Sequence, residues 1–304
     1  MHRFCLAAVV LAGSLASCGR IDFTPRAPSD GGGSADATPQ LRCDPATPFG
    51  TPTPITELNV AGSYDSTLTL TRDELTAYWY SDRGNASGVY DLWTASRGDV
   101  GSPFTNITPM SALDSPQTDK EPGVAPDGSV LAFISMRAPA DATGDIFVSL
   151  PIGSAPVQIA NLSSGHAEYH PFFQIDASDF WFASNRAGTF SIYHSTYLGA
   201  GTFAAPTQVT DLDASGANTD DAVVGAGGLV AYIRSDRAGG PGGEDIWRAE
   251  RATTSDTWNA PVVETEVDSP DLDTPSWISP DLCRLYMSSA RTDTSDLYVA
   301  TRVP

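Results

Sequence analysis

The sequence predicts an all-β protein assembled from a repeated unit of about fifty residues, and three observations carry that prediction. The tripeptide Ser-x-Arg occurs at Ser81-Asp82-Arg83, Ser135-Met136-Arg137, Ser184-Asn185-Arg186, Ser235-Asp236-Arg237 and Ser289-Ala290-Arg291, with arginines 54, 49, 51 and 54 residues apart. Ten residues before each arginine stands Asp73, Asp127, Asp176, Gly227 or Asp281. Two of these sit in explicit turn sequence, Ala125-Pro126-Asp127-Gly128 and Ser279-Pro280-Asp281-Leu282, where proline presets φ and Asp or Gly takes the next corners. Self-similarity at this period marks a repeat architecture and outranks any single-residue motif.

Between turn and arginine run short apolar or aromatic stretches: residues 75–80, 130–134, 180–183, 229–233 and 285–287. They are too short for helices and rich in strand formers, so each reads as a buried strand. A second strand follows each arginine, beginning Asp91-Leu92-Trp93, Asp145-Ile146-Phe147, Ser191-Ile192-Tyr193, Asp245-Ile246-Trp247 and Asp296-Leu297-Tyr298. Glycine-rich loops, of which residues 237–243 are the clearest, join the two as hairpins.

With these elements in register, the chain resembles the WD40-like propeller repeat of the TolB type, whose pattern reads roughly P-x-x-S-P-D-G-x-x-L-x-F-x-S-x-R-x-G-x-x-D-I-Y. The match is close from Pro122 to Phe147 and from Pro275 to Tyr298, and the resemblance covers nearly everything after residue 60. It implies a β-propeller. TolB-type propellers have six blades, whereas five units stand here, and the fourth has Gly227 and Gly228 in place of the Asp-Gly turn.

Propellers close into a ring, which leaves few exposed strand edges. A recurring phrase precedes the outermost strand of a blade: Pro103 to Thr108, Phe203 to Val209 and Trp258 to Val263. The fifth unit ends at Pro304 without it, and the missing copy lies at Phe49 to Leu58. The N-terminal segment is therefore expected to complete the last blade, giving an all-β, five-bladed propeller over residues 44–304. One such domain of about 260 residues accounts for the rest of the chain.

Residues 1–17 have a basic start, His2 and Arg3, and an apolar run too short to span a bilayer, so they read as a secretory signal. Leu15-Ala16-Ser17-Cys18 resembles the bacterial lipoprotein box, which implies cleavage before Cys18 and acylation of that cysteine. Residues 18–43 then form a lipidated cysteine and a flexible tether of Gly, Ser, Ala, Pro and Asp. Only Cys43 and Cys283 remain in the mature domain, on the two segments that the ring must join, and a disulfide between them is expected outside the cytoplasm. The net charge of −20 argues against nucleic acid and against direct adsorption to anionic lipid.

Two constellations repeat with the blades. Four of the five arginines lie one hairpin from Asp91, Asp145, Asp245 or Asp296, which suggests a fork onto a carboxylate inside each blade. Because it recurs, it reads as bracing rather than chemistry. Eight residues before each turn position stand Asp65, Asp119, Glu168, Thr219 and Asp273, with Asp220 beside the exception. Two residues on come Thr67, Glu121, His170, Asp221 and Pro275. These lead into the innermost strand and are expected to crowd the channel mouth, where Asp65, Asp119, Glu121, Glu168, His170, Asp221 and Asp273 form the candidate binding site. The structural alternative is that each carboxylate caps backbone N–H groups at the strand start. His166, Glu168 and His170 share a face of an extended strand, a minor candidate for metal. No cofactor is called for, a cation at the channel mouth being the one candidate.

The preferred functional reading is a non-catalytic envelope lipoprotein whose propeller binds a protein or peptide at the channel mouth. It would be a monomer, held to the outer membrane through its lipid alone. The second reading is a carbohydrate-binding or glycoside-cleaving five-bladed propeller, which needs one pair of carboxyls at a defined separation with one pKa raised.

Overall fold

Each Ser-x-Arg unit folds into one blade of a five-bladed propeller in the computed structural model, which describes residues 43–303 apart from 86–87, 138–142 and 293. The signal segment, Cys18 and the tether expected over residues 1–42 lie outside the described residues. From the axis outward, the first blade is Asp65–Leu70, Thr76–Ser81, Asp91–Ser96 and Thr105–Pro109. The second is Asp119–Val124, Leu131–Ser135, Asp145–Ser149 and Val157–Gln158. The third is Glu168–Phe173, Asp179–Ser184, Ser191–Gly199 and Thr207–Gln208, with Thr202–Phe203 added where its long third strand overruns. The fourth is Thr219–Val224, Val230–Ser235, Asp245–Glu250 and Val262–Val263. The fifth is Asp273–Ile278, Arg284–Ser289, Asp296–Thr301 and, out of chain order, Thr53–Pro54. All neighbours within a blade are antiparallel. Large aromatic side chains such as Trp79, Phe133, Trp181, Tyr232 and Trp277 are fully buried between blades, as expected where sheets pack face to face.

The repeated arginine holds each blade to the one before it. Within a blade the inner acidic residue lies opposite the serine of Ser-x-Arg: Asp65 faces Ser81, Asp119 faces Ser135, Glu168 faces Ser184 and Asp273 faces Ser289. The serine Oγ accepts the arginine Nε–H at 2.7–3.0 Å, which folds the guanidinium back over the inner strand. Its Nη2 then donates to Asp65, to Asp119 (2.7 Å), to Glu168 (2.9 Å) or to Asp273 (2.7 Å). The same nitrogen donates to the carbonyl of Leu58, Leu113, Leu162, Leu212 or Val267, each on the chain arriving from the preceding blade. In the fourth blade Thr219 Oγ1 replaces the carboxylate, at 3.1 Å. Third-strand aromatics, Trp93, Phe147, Tyr193, Trp247 and Tyr298, lie under the guanidinium carbons at 4.9–5.3 Å.

This corrects the partner expected from sequence. Asp91, Asp145, Asp245 and Asp296 do not take the arginines, because the serine turns the guanidinium inward, away from the hairpin. They accept local donors instead: Asn85 Nδ2 to Asp91 (2.7 Å), Gln158 Nε2 to Asp145 (2.8 Å), Gly242 N–H to Asp245 (2.8 Å) and Thr292 Oγ1 to Asp296 (3.1 Å).

Ring closure is as expected from the displaced phrase. Thr53 pairs with Val299 and Pro54 with Tyr298, and the ladder is extended by Ile55 N–H to Leu297 O and Gly50 N–H to Thr301 O, both 2.9 Å. Phe49 lies under the Arg302 guanidinium at 3.7 Å. That guanidinium donates to the Thr47 carbonyl, to Leu282 O (3.0 Å) and to the Tyr232 hydroxyl (2.8 Å) of the neighbouring blade. Across the other seam, Arg284 forks onto Glu74 of the first blade, whose carboxylate also accepts the Tyr286 hydroxyl at 3.1 Å. Cys43 and Cys283 are disulfide-bonded across a sequence separation of 240 residues, tying the N-terminal segment to the fifth blade that it completes.

A loop of that length corresponds to about 5 kcal/mol in the chain-entropy description of a cross-link. Cys283→Ser is expected to lower the melting temperature of the protein by about 10 °C. An unchanged melting temperature would show that the strand ladder closes the ring unaided.

Candidate functional site

The inner strands are the walls of the axis, and a bulge in each decides what faces it. Register slips between Ser66 and Thr69, Lys120 and Gly123, Tyr169 and Phe172, and Asp220 and Val223, so that two residues oppose one on the second strand. The first bulged residue is left-handed in each case: Thr67 (φ 50°), Glu121 (53°), His170 (49°) and Asp221 (53°). In the fifth blade Pro275 cannot adopt a positive φ, and the irregularity falls between Pro275 and Trp277. Each left-handed non-glycine residue costs roughly 1–2 kcal/mol, so the fold must over-determine it. Part of the compensation is visible. The N–H of His170, freed from its ladder, donates to Glu121 Oε2 of the neighbouring blade at 2.9 Å, and that of Thr67 to Ser288 Oγ at 2.9 Å. The inner strands also approach closely: a Cβ on Gly123 would lie 1.9 Å from the Pro171 carbonyl oxygen.

The seven residues expected at the mouth divide into two sets. Asp65, Asp119, Glu168 and Asp273 have no exposed surface. One oxygen of each takes the repeat arginine, and the other accepts the N–H of Val60 (2.9 Å), Ser115 (2.6 Å), Ser164 (3.0 Å) or Ser269 (2.6 Å). That is the capping role set beside the binding role at the outset, with the arginine added. The structure does bring Glu121, His170 and Asp221 together. His166 is exposed and Glu168 is committed to Arg186, so the His/Glu trio does not converge. Among the described residues no group of three or more His, Cys, Asp or Glu side chains is placed to hold a metal ion.

An ionic chain crosses three blades at this level. Lys120 Nζ lies 2.7 Å from Glu121 Oε1, which stands 3.8 Å from His170 Nε2. His170 Nε2 lies against Asp221 Oδ1, whose other oxygen is 2.8 Å from Arg234 Nε. Arg234 also forks onto Asp220 at 2.7 and 2.9 Å and approaches Glu244 at 3.3 Å. Burial lowers the His170 pKa to about 4, so the imidazole is neutral near pH 7. For Glu121, burial acts to raise the pKa, but Lys120, joined by the hydrogen bond from the His170 N–H, outweighs it and holds the pKa below the usual carboxylate value. Burial likewise opposes the charge of Arg234, and Asp220 more than offsets it.

Above this chain lies a cavity of about 200 Å³ to which every blade contributes. Tyr64, Ser66, Tyr80 and Tyr90 come from the first blade, Lys120 and Glu121 from the second, Tyr169 and His170 from the third, Arg234 from the fourth and Thr274 from the fifth. The three first-blade tyrosines pack on one another with centroids 5.2–6.0 Å apart, and Tyr169 stacks on Phe190 at 4.9 Å. Below, between Thr67, Pro122, His170, Pro171, Asp221 and Pro275, the free space shrinks to about 10 Å³, room for one water. A ligand entering from the mouth therefore meets a floor. Sequence reasoning missed the tyrosines and Arg234, although Lys120 as the sole lysine and tyrosines flanking the acidic positions were visible signals.

Two carboxyls with strongly raised pKa values, Asp114 and Asp268, lie at blade junctions, outside this cavity. Burial, followed by Asp91, raises Asp114 to about 6. Burial raises Asp268 to about 8, with Asp273 and Asp245 adding to it and a hydrogen bond from Ile246 N–H (2.8 Å) opposing it. A folded-state pKa above the unfolded value of about 3.9 means that the contribution of Asp268 is fully present below that value and is lost as pH rises through 8. Asp268→Asn removes this loss, so the melting temperature of the variant minus that of the wild type should increase from pH 5 to pH 8. A pH-independent difference would contradict a protonated Asp268.

No protein-family model and no curated protein matches the chain. Solved structures do. A TolB-like protein from Agrobacterium tumefaciens superposes with a TM-score of 0.50 at 18% identity, over 78% of this chain and 76% of that one. In fold, the chain is similar to TolB-type propellers. TolB from Acinetobacter baumannii aligns at 15% identity and a TM-score of 0.47, over 78% of this chain, which spans only 54% of that protein. An α-L-arabinofuranosidase from Podospora anserina, solved with cellotriose, gives a TM-score of 0.50 at 12% identity over 84% of this chain and 96% of the enzyme. The two superpositions at a TM-score of 0.50, with the five antiparallel sheets, bear out the propeller fold that the repeat implied.

Proposed function

We propose that the chain is a non-catalytic envelope lipoprotein whose propeller binds a segment of another protein in the mouth cavity. The observation that carries this reading is a one-ended cavity built by all five blades, polar at its base and walled by tyrosines, over strained inner-strand bulges. Tyrosine supplies large contact area and a polar tip at low entropic cost, which suits it to protein recognition. The mature chain would be a monomer, anchored through Cys18 to the outer membrane. A disulfide between Cys43 and Cys283 supports an oxidising compartment, and no described helix is long and apolar enough to cross a membrane.

Glycoside hydrolysis finds less support. It requires a carboxylic acid that stays protonated beside a second carboxylate. Glu121 is the carboxyl that lines the cavity, and Lys120 and the His170 N–H hold it ionised. Likeness to an arabinofuranosidase at 12% identity bears on fold alone.

Capture from envelope extract by wild type and by a Tyr90→Ala/Tyr169→Ala variant tests the reading. Both side chains are partly exposed, so the variant should remain folded while losing at least tenfold in affinity for the captured protein, about 1.4 kcal/mol. Undiminished capture would place the binding surface elsewhere. Sugar release from polysaccharides that disappears in Glu121→Gln would favour the enzyme. Mass spectrometry of the N-terminal peptide tests the anchor: an unmodified Cys18 would remove it.

A further inference from the structure

The mouth cavity contains a cation already, and the manner in which it is held identifies the chemistry that the cavity recognises. Lys120 is the only lysine of the chain, whereas the structural cations are arginines locked by several hydrogen bonds each. Its ammonium makes one ion pair, with Glu121 Oε1 at 2.7 Å, and stands over the Tyr169 ring at 4.1 Å. Neither partner is free to follow it. The other oxygen of Glu121 is fixed by the His170 N–H at 2.9 Å, and Tyr169 is backed by Phe190, nearly parallel at 15°. The carboxylate and the aromatic face are thus pre-set to receive an ammonium group. Lysine, unlike arginine, reaches such a site on a flexible stem as a compact point charge. The cavity beside it offers space into which the stem can swing.

The charge around the site agrees. Lys120 and Arg234 face Glu121, Asp220, Asp221 and Glu244, with His170 neutral, so the cluster carries an excess of negative charge. A chain of net charge −20 adds a long-range field of the same sign.

We propose that Glu121 and Tyr169 form an alkylammonium subsite which Lys120 occupies as an internal stand-in, and that a primary ammonium group of the partner displaces it. This rests on the mouth as the binding site and adds the chemistry of the group that enters. An ammonium of this kind comes from a lysine side chain or from an N-terminal amine.

Lys120→Ala empties the subsite and allows a small-molecule replacement. Butylammonium chloride at ten times its dissociation constant should raise the melting temperature of Lys120→Ala by about 3 °C. Sodium butyrate and sodium chloride at equal ionic strength should not, and Lys120→Ala/Glu121→Gln should not respond to butylammonium. Equal responses to butylammonium in Lys120→Ala and wild type, or to butyrate and butylammonium in Lys120→Ala, would overturn the proposal. In wild type, where folding is not in question, the single lysine gives one side-chain ammonium signal in ¹⁵N-lysine NMR. That signal should move toward the position of a solvated lysine on adding Nα-acetyl-lysine methylamide or glycylglycinamide, and the compound that moves it names the source. A signal unmoved by both overturns the proposal, while partner capture dependent on Tyr90 and Tyr169 would leave the mouth reading in place.

Discussion

The fold depends on one buried contact made once per blade: an arginine whose Nη2 joins an inner-strand acceptor to a carbonyl of the preceding blade. Blades pack through apolar faces, and such contact is non-directional; it does not by itself set how one sheet is rotated against the next. The guanidinium supplies that direction. Its planar fork is oriented by the serine two residues earlier, supported by an aromatic ring of the third strand, and fixed at both ends. The cost is a buried carboxylate in four blades, which is stable only while the arginine is present.

The same constraint shapes the mouth. With Asp65, Asp119, Glu168 and Asp273 pinned at the start of the inner strands, the bulge that follows aims Thr67, Glu121, His170 and Asp221 toward the axis. Three of them meet across neighbouring blades: Glu121 accepts the His170 N–H, and His170 Nε2 lies against Asp221. Tyrosines and Lys120 stand above this layer, where partial exposure leaves them able to meet a ligand. Blade packing and the proposed ligand recognition are therefore stacked one above the other, the first buried and the second open.

Much of this was legible in the sequence, for physical reasons. Ser-x-Arg recurs because the brace needs the same two side chains in every blade, so its period gave the blade count. The phrase around Phe49 is a copy of those at Phe104 and Trp258 because each aromatic packs beneath an arginine, Arg302, Arg97 or Arg251. Two remaining cysteines on the segments to be joined pointed to their bond. The division of the acidic residues was not legible. In a regular strand Asp65 and Thr67, or Asp119 and Glu121, share a face, and all would line the axis together. The bulge breaks that alternation, and nothing marks it locally: the left-handed positions are Thr, Glu, His and Asp rather than glycine. The arginine's choice of partner was hidden likewise, since the inner carboxylate is distant in sequence while Asp91 and its counterparts are close.

The fourth blade contains the comparison that tests the brace most directly, because Thr219 stands there in place of a carboxylate. Removing Arg137 leaves the Asp119 carboxylate buried and uncompensated, whereas removing Arg237 leaves a neutral hydroxyl. Denaturant unfolding of Arg137→Gln and Arg237→Gln should therefore give unequal losses, about 3–5 kcal/mol for the first and about 1–2 kcal/mol for the second. Equal losses, or a negligible loss in Arg137→Gln, would contradict the account that this contact holds the ring together.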